Sequence, residues 1–489
     1  MPSKDKIGRS QVWTLARLAL LALLAQGASL PLAAAGQAYL KRGEPQQEGR
    51  NWVEVSECGA LVPESGRLIL RADVGSVSVA VGPPERLACQ VRLTAYTGDR
   101  AEAAHIFRGM DLNLRQSGRL AILTARDISA RRRGSRVSVE FNLNVPRRFN
   151  LDLETHGGDV EVVALDGELR ATTAGGDIRA GDVNGPVHLE TAGGNITVRN
   201  VGQRLDARTA GGNVHVGDVN GNANIETSGG EIYAGTIQGG FHARTAGGDI
   251  VLRGASGPVV AETAGGQIQM GDCGATVRAE TAGGNIRLQG AGGMVKAETA
   301  GGGIALFRLR SGVQAETAAG TIFAEIDANR EGFATSDLGT SVGDIQVFLP
   351  PNLPLNIEAV IEQAGGHRIS TDFPLTIQGQ GQGEAAKWPL RTVHGECALN
   401  GGGKPLKLHT TMGNIEIRKL DSTALIQLRL RQESYWKSWE ARQEQRLEEM
   451  IRRLQQRQQE QLQFQQKLLE EQGKQLRDIQ KQPQPSDDD

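Results

Sequence analysis

The stretch ETHGGDV at residues 154–160 returns along this chain at a fixed interval, first as TTAGGDI at 172–178 and then as ETAGGNI at 190–196. One threonine marks each copy, and successive threonines lie 18 residues apart without an insertion: Thr155, Thr173, Thr191, Thr209, Thr227, Thr245, Thr263, Thr281, Thr299, Thr317 and Thr335. A period this strict predicts a solenoid, in which each repeat covers the apolar face of its neighbour.

Within one repeat, apolar and polar residues alternate on both sides of the bend Ala192-Gly193-Gly194. Alternation over four to six residues is typical of a half-buried strand, and the glycine pair indicates a turn. A second turn is predicted at segments such as 182–185, which read Asp-Val-Asn-Gly. We therefore predict an all-β fold: a two-sheeted parallel β-solenoid with 18-residue coils, capped at both ends and followed by a C-terminal α-helix.

The repeated threonine has the parity of the inward positions, so we predict an internal ladder whose hydroxyls bond to the backbone or to neighbouring threonines. An ice-binding surface would need these threonines to face outward. The predicted ladder contains Thr155, Thr173, Thr191, Thr209, Thr227, Thr245, Thr263, Thr281, Thr299 and Thr317.

The residue before each threonine is predicted to face solvent. It alternates in charge through Glu190, Arg208, Glu226, Arg244 and Glu262, which favours ion pairs between stacked coils. The alternation then stops, because the next three repeats carry Glu280, Glu298 and Glu316. This acidic strip should repel itself mildly unless positive charge sits on it.

The flanking segments differ in composition, and we divide the chain on that basis. The predicted parts are a signal peptide (1–35), a linker (36–50), an N-terminal β cap region (51–150), the solenoid (151–335), irregular closing coils with a C-terminal cap (336–420), a Gln/Glu/Arg-rich helix (421–482) and a disordered tail (483–489). The signal peptide rests on Lys4, Lys6 and Arg9 ahead of a short apolar run and an Ala33-Ala34-Ala35 cleavage site. We therefore expect an exported chain, in the periplasm, the cell envelope or outside the cell, without a transmembrane span in its mature form.

Several phrases resemble the putative adhesin family of bacterial exported β-strand-repeat proteins, a domain of unknown function. They are Val145-Pro146 ahead of 151–155, the Gly-Asp-Ile steps at 176–178 and 343–345, Phe348-Leu349-Pro350, and the segment 399–403 ahead of 410–417. The resemblance covers about residues 55–420. It implies a β-solenoid with an adhesive or scaffolding role, and it supplies no catalytic residues.

The cysteines and the C-terminal helix leave alternatives open. Cys58 and Cys89 are candidates for a disulfide, with two buried thiols as the alternative, and Cys273 occupies an inward position. The helix over 421–482 has apolar residues at helical spacing diluted by glutamines. It is a weak coiled coil that joins copies of the chain, a helix that docks on a partner, or a solvated single helix.

We predict no catalytic, cofactor-binding or metal-binding residues and no cofactor. The carboxylate-or-amide column of Asp177, Asn195, Asn213 and Asp249 lacks the glycine and aspartate spacing of calcium-binding rolls, so bend capping is the favoured interpretation. Only 4% of residues are aromatic and the net charge is −2, which argues against nucleic acid. The predicted function is a noncatalytic binding or adhesive surface for a protein or glycan partner. The alternative is a structural polymer or envelope scaffold assembled through the solenoid ends or the helix.

Overall fold

The structure, a computed structural model, describes residues 38–128, 137–379 and 392–420, and beyond them Ile426, Gln427, Gln445 and Arg452. These last four residues are helical. The predicted signal peptide, the rest of the predicted helix over 421–482 and the tail 483–489 lie outside the described residues. The chain divides into two units between Ile417 and Arg418, and all of the repeats belong to the first unit.

Among the described residues, ten elements precede the repeats. They are β1 (Tyr39–Lys41), β2 (Gln46–Glu48), β3 (Asn51–Leu61), β4 (Arg67–Ala72), β5 (Ser76–Val81), β6 (Arg86–Ala95), α1 (Arg100–Arg108), β7 (Met110–Ser117), β8 (Leu120–Asp127) and β9 (Val137–Val145). The repeats follow as β10 (Asn150–Thr155), β11 (Val160–Leu165), β12 (Leu169–Thr173), β13 (Ile178–Val183), β14 (Val187–Thr191), β15 (Ile196–Val201), β16 (Leu205–Thr209), β17 (Val214–Val219), β18 (Ala223–Glu226), β19 (Ile232–Ile237), β20 (Phe241–Arg244), β21 (Ile250–Ala255), β22 (Val259–Thr263), β23 (Ile268–Cys273), β24 (Val277–Thr281), β25 (Ile286–Ala291), β26 (Val295–Thr299), β27 (Ile304–Leu309), β28 (Val313–Ala319) and β29 (Ile322–Ile326).

The repeat strands form two facing sheets of parallel strands, as predicted. Odd-numbered strands from β11 to β29 belong to sheet A, and even-numbered strands from β10 to β28 belong to sheet B. Each residue pairs with the one 18 positions later, for example Leu189 with Ala207 in sheet B and Ile196 with Val214 in sheet A. Leu189, Ile196 and Ala207 are fully buried, so the core lies between a branched wall and a largely small one.

The N-terminal region continues the same stack. Strands β4 and β5 lie parallel to the first repeat, with Leu68 opposite Leu151 and Val77 opposite Val160. Strands β8 and β9 add the next level, and β6, β3 and β7 then join in antiparallel fashion. The predicted cap region is therefore an extension of both sheets.

The predicted linker over 36–50 contains two strands. Both β1 and β2 pair antiparallel with β3 and cover its outer edge. Arg42, between them, places its Nε 2.5 Å from Oε1 of the buried Glu54. These contacts fasten the predicted linker segment to sheet A.

Helix α1 was not predicted. Its first turn is capped by Asp99, whose Oδ1 accepts a hydrogen bond of 2.8 Å from the Ala101 amide, and Phe107 is buried on its inner face. Asp99 followed three residues later by Glu102 matches the sequence pattern of a helix N-terminus, so the sequence does carry a signal for α1.

Eight strands of the described part of the chain close the C-terminal end: β30 (Ser336–Val342), β31 (Ile345–Leu349), β32 (Leu355–Ile361), β33 (Ile369–Thr371), β34 (Thr376–Gly379), β35 (Val393–Leu399), β36 (Lys404–Met412) and β37 (Ile415–Lys419). Thr335 does not continue the threonine column. Thr340 lies opposite Thr317 instead, and Thr410 lies opposite Thr340. An insertion after β29 shifts the sequence period by five residues, because the next inward threonine follows Thr317 by 23 positions instead of 18.

The cysteines fall into two groups. Cys58 and Cys89 face each other across β3 and β6 and form a disulfide, with 4.9 Å between their Cα atoms. Cys273 is a free thiol in the core, and burial raises the pKa of this thiol to about 12.

Candidate functional site

The threonine column lies inside the solenoid. The Thr191 hydroxyl donates to the Gly176 carbonyl of the preceding coil at 2.9 Å and accepts from the Gly194 amide of its own bend at 3.2 Å. The same pair of bonds is made by Thr209, Thr227, Thr245, Thr263, Thr281 and Thr299. Because these hydroxyls are buried and engaged, they hold the bends together and present no surface to solvent or ice.

The carboxylate-or-amide column beside the glycine bends is also engaged. Asp159 Oδ1 accepts the amide of Asp177 at 3.0 Å, and Asp177 Oδ1 accepts the amide of Asn195 at 2.8 Å. Asn195, Asn213, Asp249, Asn285 and Asp344 accept the next coil's amide in the same way. Each side chain thus caps a main-chain amide of the following bend.

A long groove follows the threonine corner on the outside, and we call it the corner groove. In each coil it is lined by the residue before the threonine, by the edge of the threonine itself and by the small residue after it. The small residues form an exposed row: Ala192, Ala210, Ser228, Ala246, Ala264, Ala282, Ala300 and Ala318. The groove therefore has a floor of small side chains, which are methyl groups at every position except Ser228, and one wall of charged side chains.

The upstream part of this groove, from Thr172 to Arg244, has a volume of about 430 Å³ and carries alternating charges. Arg208 lies opposite Glu226, with 3.5 Å between Nε and Oε2, and Arg244 reaches Glu262 at 2.9 Å. These contacts are the ion pairs between coils that the sequence predicted. We call this part the alternating section.

The downstream part has a volume of about 900 Å³ and is lined by Glu262, Glu280, Glu298 and Glu316, which lie in register on four adjacent strands. We call it the acidic section. Parallel strands stand about 4.8 Å apart, so four like charges share one wall of the groove at close spacing.

Bases from the neighbouring column partly neutralise the acidic section. Arg278 Nη2 lies 2.7 Å from Glu280, and Lys296 Nζ lies 2.7 Å from Glu298. The hydrogen bond to Glu280 and its negative charge raise the pKa of the Arg278 guanidinium. At the last coil the corresponding residue is Gln314, and among the described side chains no base pairs with the exposed Glu316. The negative field therefore strengthens toward the C-terminal end of the groove.

The histidines do not gather into one site. His188 Nδ1 lies 3.7 Å from Asp206, and His242 Nδ1 lies 2.9 Å from the Asn224 amide oxygen. His215 belongs to the other sheet, where its ring stacks on Tyr233 with 4.3 Å between centroids. Asp206 is buried and also lies 3.4 Å from Arg208 Nε. Its carboxylate is therefore paired with neighbouring side chains on the same face of sheet B.

Metal clusters and membrane-spanning helices are both absent from the described part of the chain. Within residues 38–128, 137–379 and 392–420, no three His, Cys, Asp or Glu side chains stand close enough to share a metal ion. In the same described part, no helix combines the length and the apolar character that crossing a membrane requires.

Comparison with known proteins adds one distant match. No protein-family model and no curated protein matches the chain. A crystal structure described as a putative cell adhesion protein from Clostridium sporogenes matches with 9% sequence identity, covering 77% of this chain and 100% of that one. The TM-score of the match is 0.14.

Proposed function

We propose that this protein is a noncatalytic, exported binding protein whose ligand lies along the acidic section of the corner groove. The observation that carries the proposal is the acidic section, where four glutamates stand in register beside a row of exposed methyl groups. The threonine column and the carboxylate-or-amide column bond to the solenoid's own backbone, whereas the groove wall is a repeated polar surface that faces outward. A repeated surface of this kind suits an extended partner that makes many weak contacts.

The expected partner, whether a protein or a glycan, carries positive charge. One exposed ion pair contributes about 0.5 kcal/mol, so a single contact binds nothing measurable. The binding free energies of several ion pairs along one rigid wall add up. The exposed methyl groups favour contact with a flat apolar part of the partner's backbone between its charges. Such binding should weaken as salt rises, because exposed charges are screened beyond about 10 Å at 0.1 M ionic strength.

The test compares two double variants that change the net charge equally. Glu298→Gln with Glu316→Gln alters the acidic section, and Glu190→Gln with Glu226→Gln is the matched control in the alternating section. The probes are an oligolysine peptide and a chitosan oligosaccharide, with oligoglutamate as the negative probe, titrated calorimetrically into the full chain.

We expect the acidic-section variant to bind the preferred cationic probe about fivefold more weakly, which corresponds to about 1 kcal/mol for two exposed pairs. The control variant should bind like the unmodified chain. Preference for one cationic probe identifies the partner as peptide or glycan. Equal losses in both variants, or no binding of either cationic probe, would contradict the proposal.

A further inference from the structure

The two sheets end differently at the N-terminal side of the solenoid. In sheet A the last long strand, β3, is covered by β1 and β2 and joined to β6 by the Cys58–Cys89 disulfide. In sheet B the last strand is β7, and within the described part of the chain it pairs with β8 alone. Helix α1 and strands β1 and β3 approach β7, and Arg42 bonds the Met110 carbonyl, but none of them pairs with β7 as a strand. An edge strand without a second partner is a template for another strand.

The hairpin between β7 and β8 shows which main-chain groups face that edge. Gly118, with φ of 57°, opens a two-residue loop between Ser117 and Leu120. The residues that flank such a loop exchange hydrogen bonds, so the odd-numbered residues of β7 bond to β8. The even-numbered residues direct their amides and carbonyls outward. A contact of Arg42 supports this assignment. Its Nη1 donates at 3.1 Å to the carbonyl of Met110, an even-numbered residue.

The side chains of β7 divide in the matching way. Leu112 and Leu114 point into the core but keep 9% exposure, whereas Leu123 on β8 is fully buried. Asp111 and Arg115 are exposed on the outer face, with the half-buried Asn113 between them. With respect to the described residues, the strand thus offers unpaired main-chain groups at Leu112 and Leu114, and it carries one charge of each sign at equal distances from Asn113.

We propose that β7 pairs with β7 of a second copy of this chain, antiparallel and centred on Asn113. In this register Leu112 exchanges main-chain hydrogen bonds with Leu114 of the second copy. Asp111 then lies directly opposite Arg115 of the second copy, and Arg115 opposite its Asp111, so both charge pairs are attractive.

Neighbouring registers lack this match. Antiparallel pairing of the even-numbered residues permits centres at Leu112 or Leu114 as well. A centre at Leu112 places Asp111 opposite Asn113, and a centre at Leu114 places Asp111 opposite Ser117. Neither register forms an Asp111–Arg115 pair, so charge selects the one centred on Asn113.

The contact is isologous, which means that it consumes the same edge on both copies and closes after two. Sheet B becomes continuous through the twofold axis, and the two solenoids extend away from it in opposite directions. The pairing therefore removes the exposed edge without starting a fibre, and it places two corner grooves on one particle. This inference is independent of what the groove binds.

The first test is a disulfide across the axis. In the full chain carrying Cys397→Ser, the Asn113→Cys variant places two thiols at a non-hydrogen-bonded pair, where Cα atoms stand about 4.5 Å apart and a disulfide fits. Ser117→Cys is the matched control, because Ser117 is exposed and outside the charge pairs, and its two copies would be separated along the strands by about 26 Å, beyond disulfide reach.

We expect mild oxidation to convert most of the Asn113→Cys chain to a covalent dimer on a nonreducing gel, and the Ser117→Cys chain to remain free of the cross-link. Association through another part of the molecule would give a dimer by mass without this selective cross-link. That outcome overturns the proposal, as does equal cross-linking of both variants.

The second test exchanges the charges. Asp111→Arg alone, or Arg115→Asp alone, sets like charges opposite each other and should weaken the dimer roughly tenfold in sedimentation equilibrium. The double exchange restores both pairs and should bring the dissociation constant back to within about threefold of the unmodified chain. If the double exchange is as weak as the single ones, Asp111 and Arg115 do not face each other.

Discussion

At the scale of single residues, the two glycines of each bend have different tasks. A Cβ added to Gly230 would lie 2.0 Å from the Gly212 carbonyl oxygen of the preceding coil, which no side chain can accept. A Cβ added to Gly229 would meet nothing closer than the Gly211 carbonyl oxygen at 3.5 Å, an ordinary contact. The second glycine is therefore required by the approach of stacked bends, and the first is not.

This difference predicts opposite outcomes for two adjacent substitutions. Gly230→Ala should destabilise the protein by about 1–3 kcal/mol, because the bend must move away from its neighbour. Gly229→Ala should be neutral or stabilising by up to about 1 kcal/mol, because alanine restricts the unfolded chain. Urea unfolding of the two variants beside the unmodified chain measures both effects, and similar losses in the two would show that the bends are not in contact.

At the scale of elements, the repeat strands were predictable and the connections between unlike elements were not. Alternation around Thr191 and a constant period specify strand, turn and register together, because a one-residue slip would turn every side chain to the wrong face. The same argument predicted the inward threonines and the charge pairs of the alternating section. Outside the regular repeats, no single pattern specifies strand, turn and register together.

Three features illustrate what the repeat pattern could not supply. Thr335 keeps the 18-residue spacing, yet it is Thr340 that lies opposite Thr317 in the threonine column. An insertion can preserve the spacing in the sequence by chance, whereas packing selects the residue that turns inward. Helix α1 depends on a single cap at Asp99. The pairing of Arg278 with Glu280 depends on side-chain reach within one strand, which a column-by-column comparison of charges overlooks.

The disulfide belongs to the element scale because it joins two antiparallel strands of the cap. It closes a segment with a sequence separation of 31, and a loop of this size contributes about 3–4 kcal/mol in the chain-entropy account. Replacing Cys58 and Cys89 by alanine should therefore speed amide exchange in β3 and β6.

The repeats β21 and β22 lie many coils away and should keep their protection, because each coil of a solenoid contacts only its neighbours. Hydrogen exchange followed by mass spectrometry separates the two regions, with Cys397→Ala as the control substitution. Uniform loss of protection along the chain would mean that the cap and the repeats unfold as one cooperative unit.

At the scale of the whole molecule, the constant register predicts that coils can be removed as units. Deleting 246–263 joins Thr245 to Ala264 and brings Arg244 opposite Glu280, so inward positions, bends and charge alternation all survive. Deleting 246–262, one residue fewer, reverses the parity of every downstream strand relative to the coils before it.

We expect the 18-residue deletion to yield a soluble β-rich protein with a cooperative thermal transition, and the 17-residue deletion to aggregate. Circular dichroism and soluble yield compare the two directly. Folding of both deletions would show that the repeats tolerate a parity break, and failure of both would show that this coil has an individual role that its neighbours cannot fill.

The stacking of parallel strands also determines how the molecule carries mechanical load. Hydrogen bonds between coils run across the strands and hence along the direction in which the coils stack. A pull along that direction places every boundary between coils under the same tension, so the weakest boundary yields first and the extension proceeds in steps. A pull along the strands loads many bonds together and meets far greater resistance. A ligand bound in the corner groove contacts several coils and would resist their separation. Tension along the stack and ligand binding would therefore affect each other.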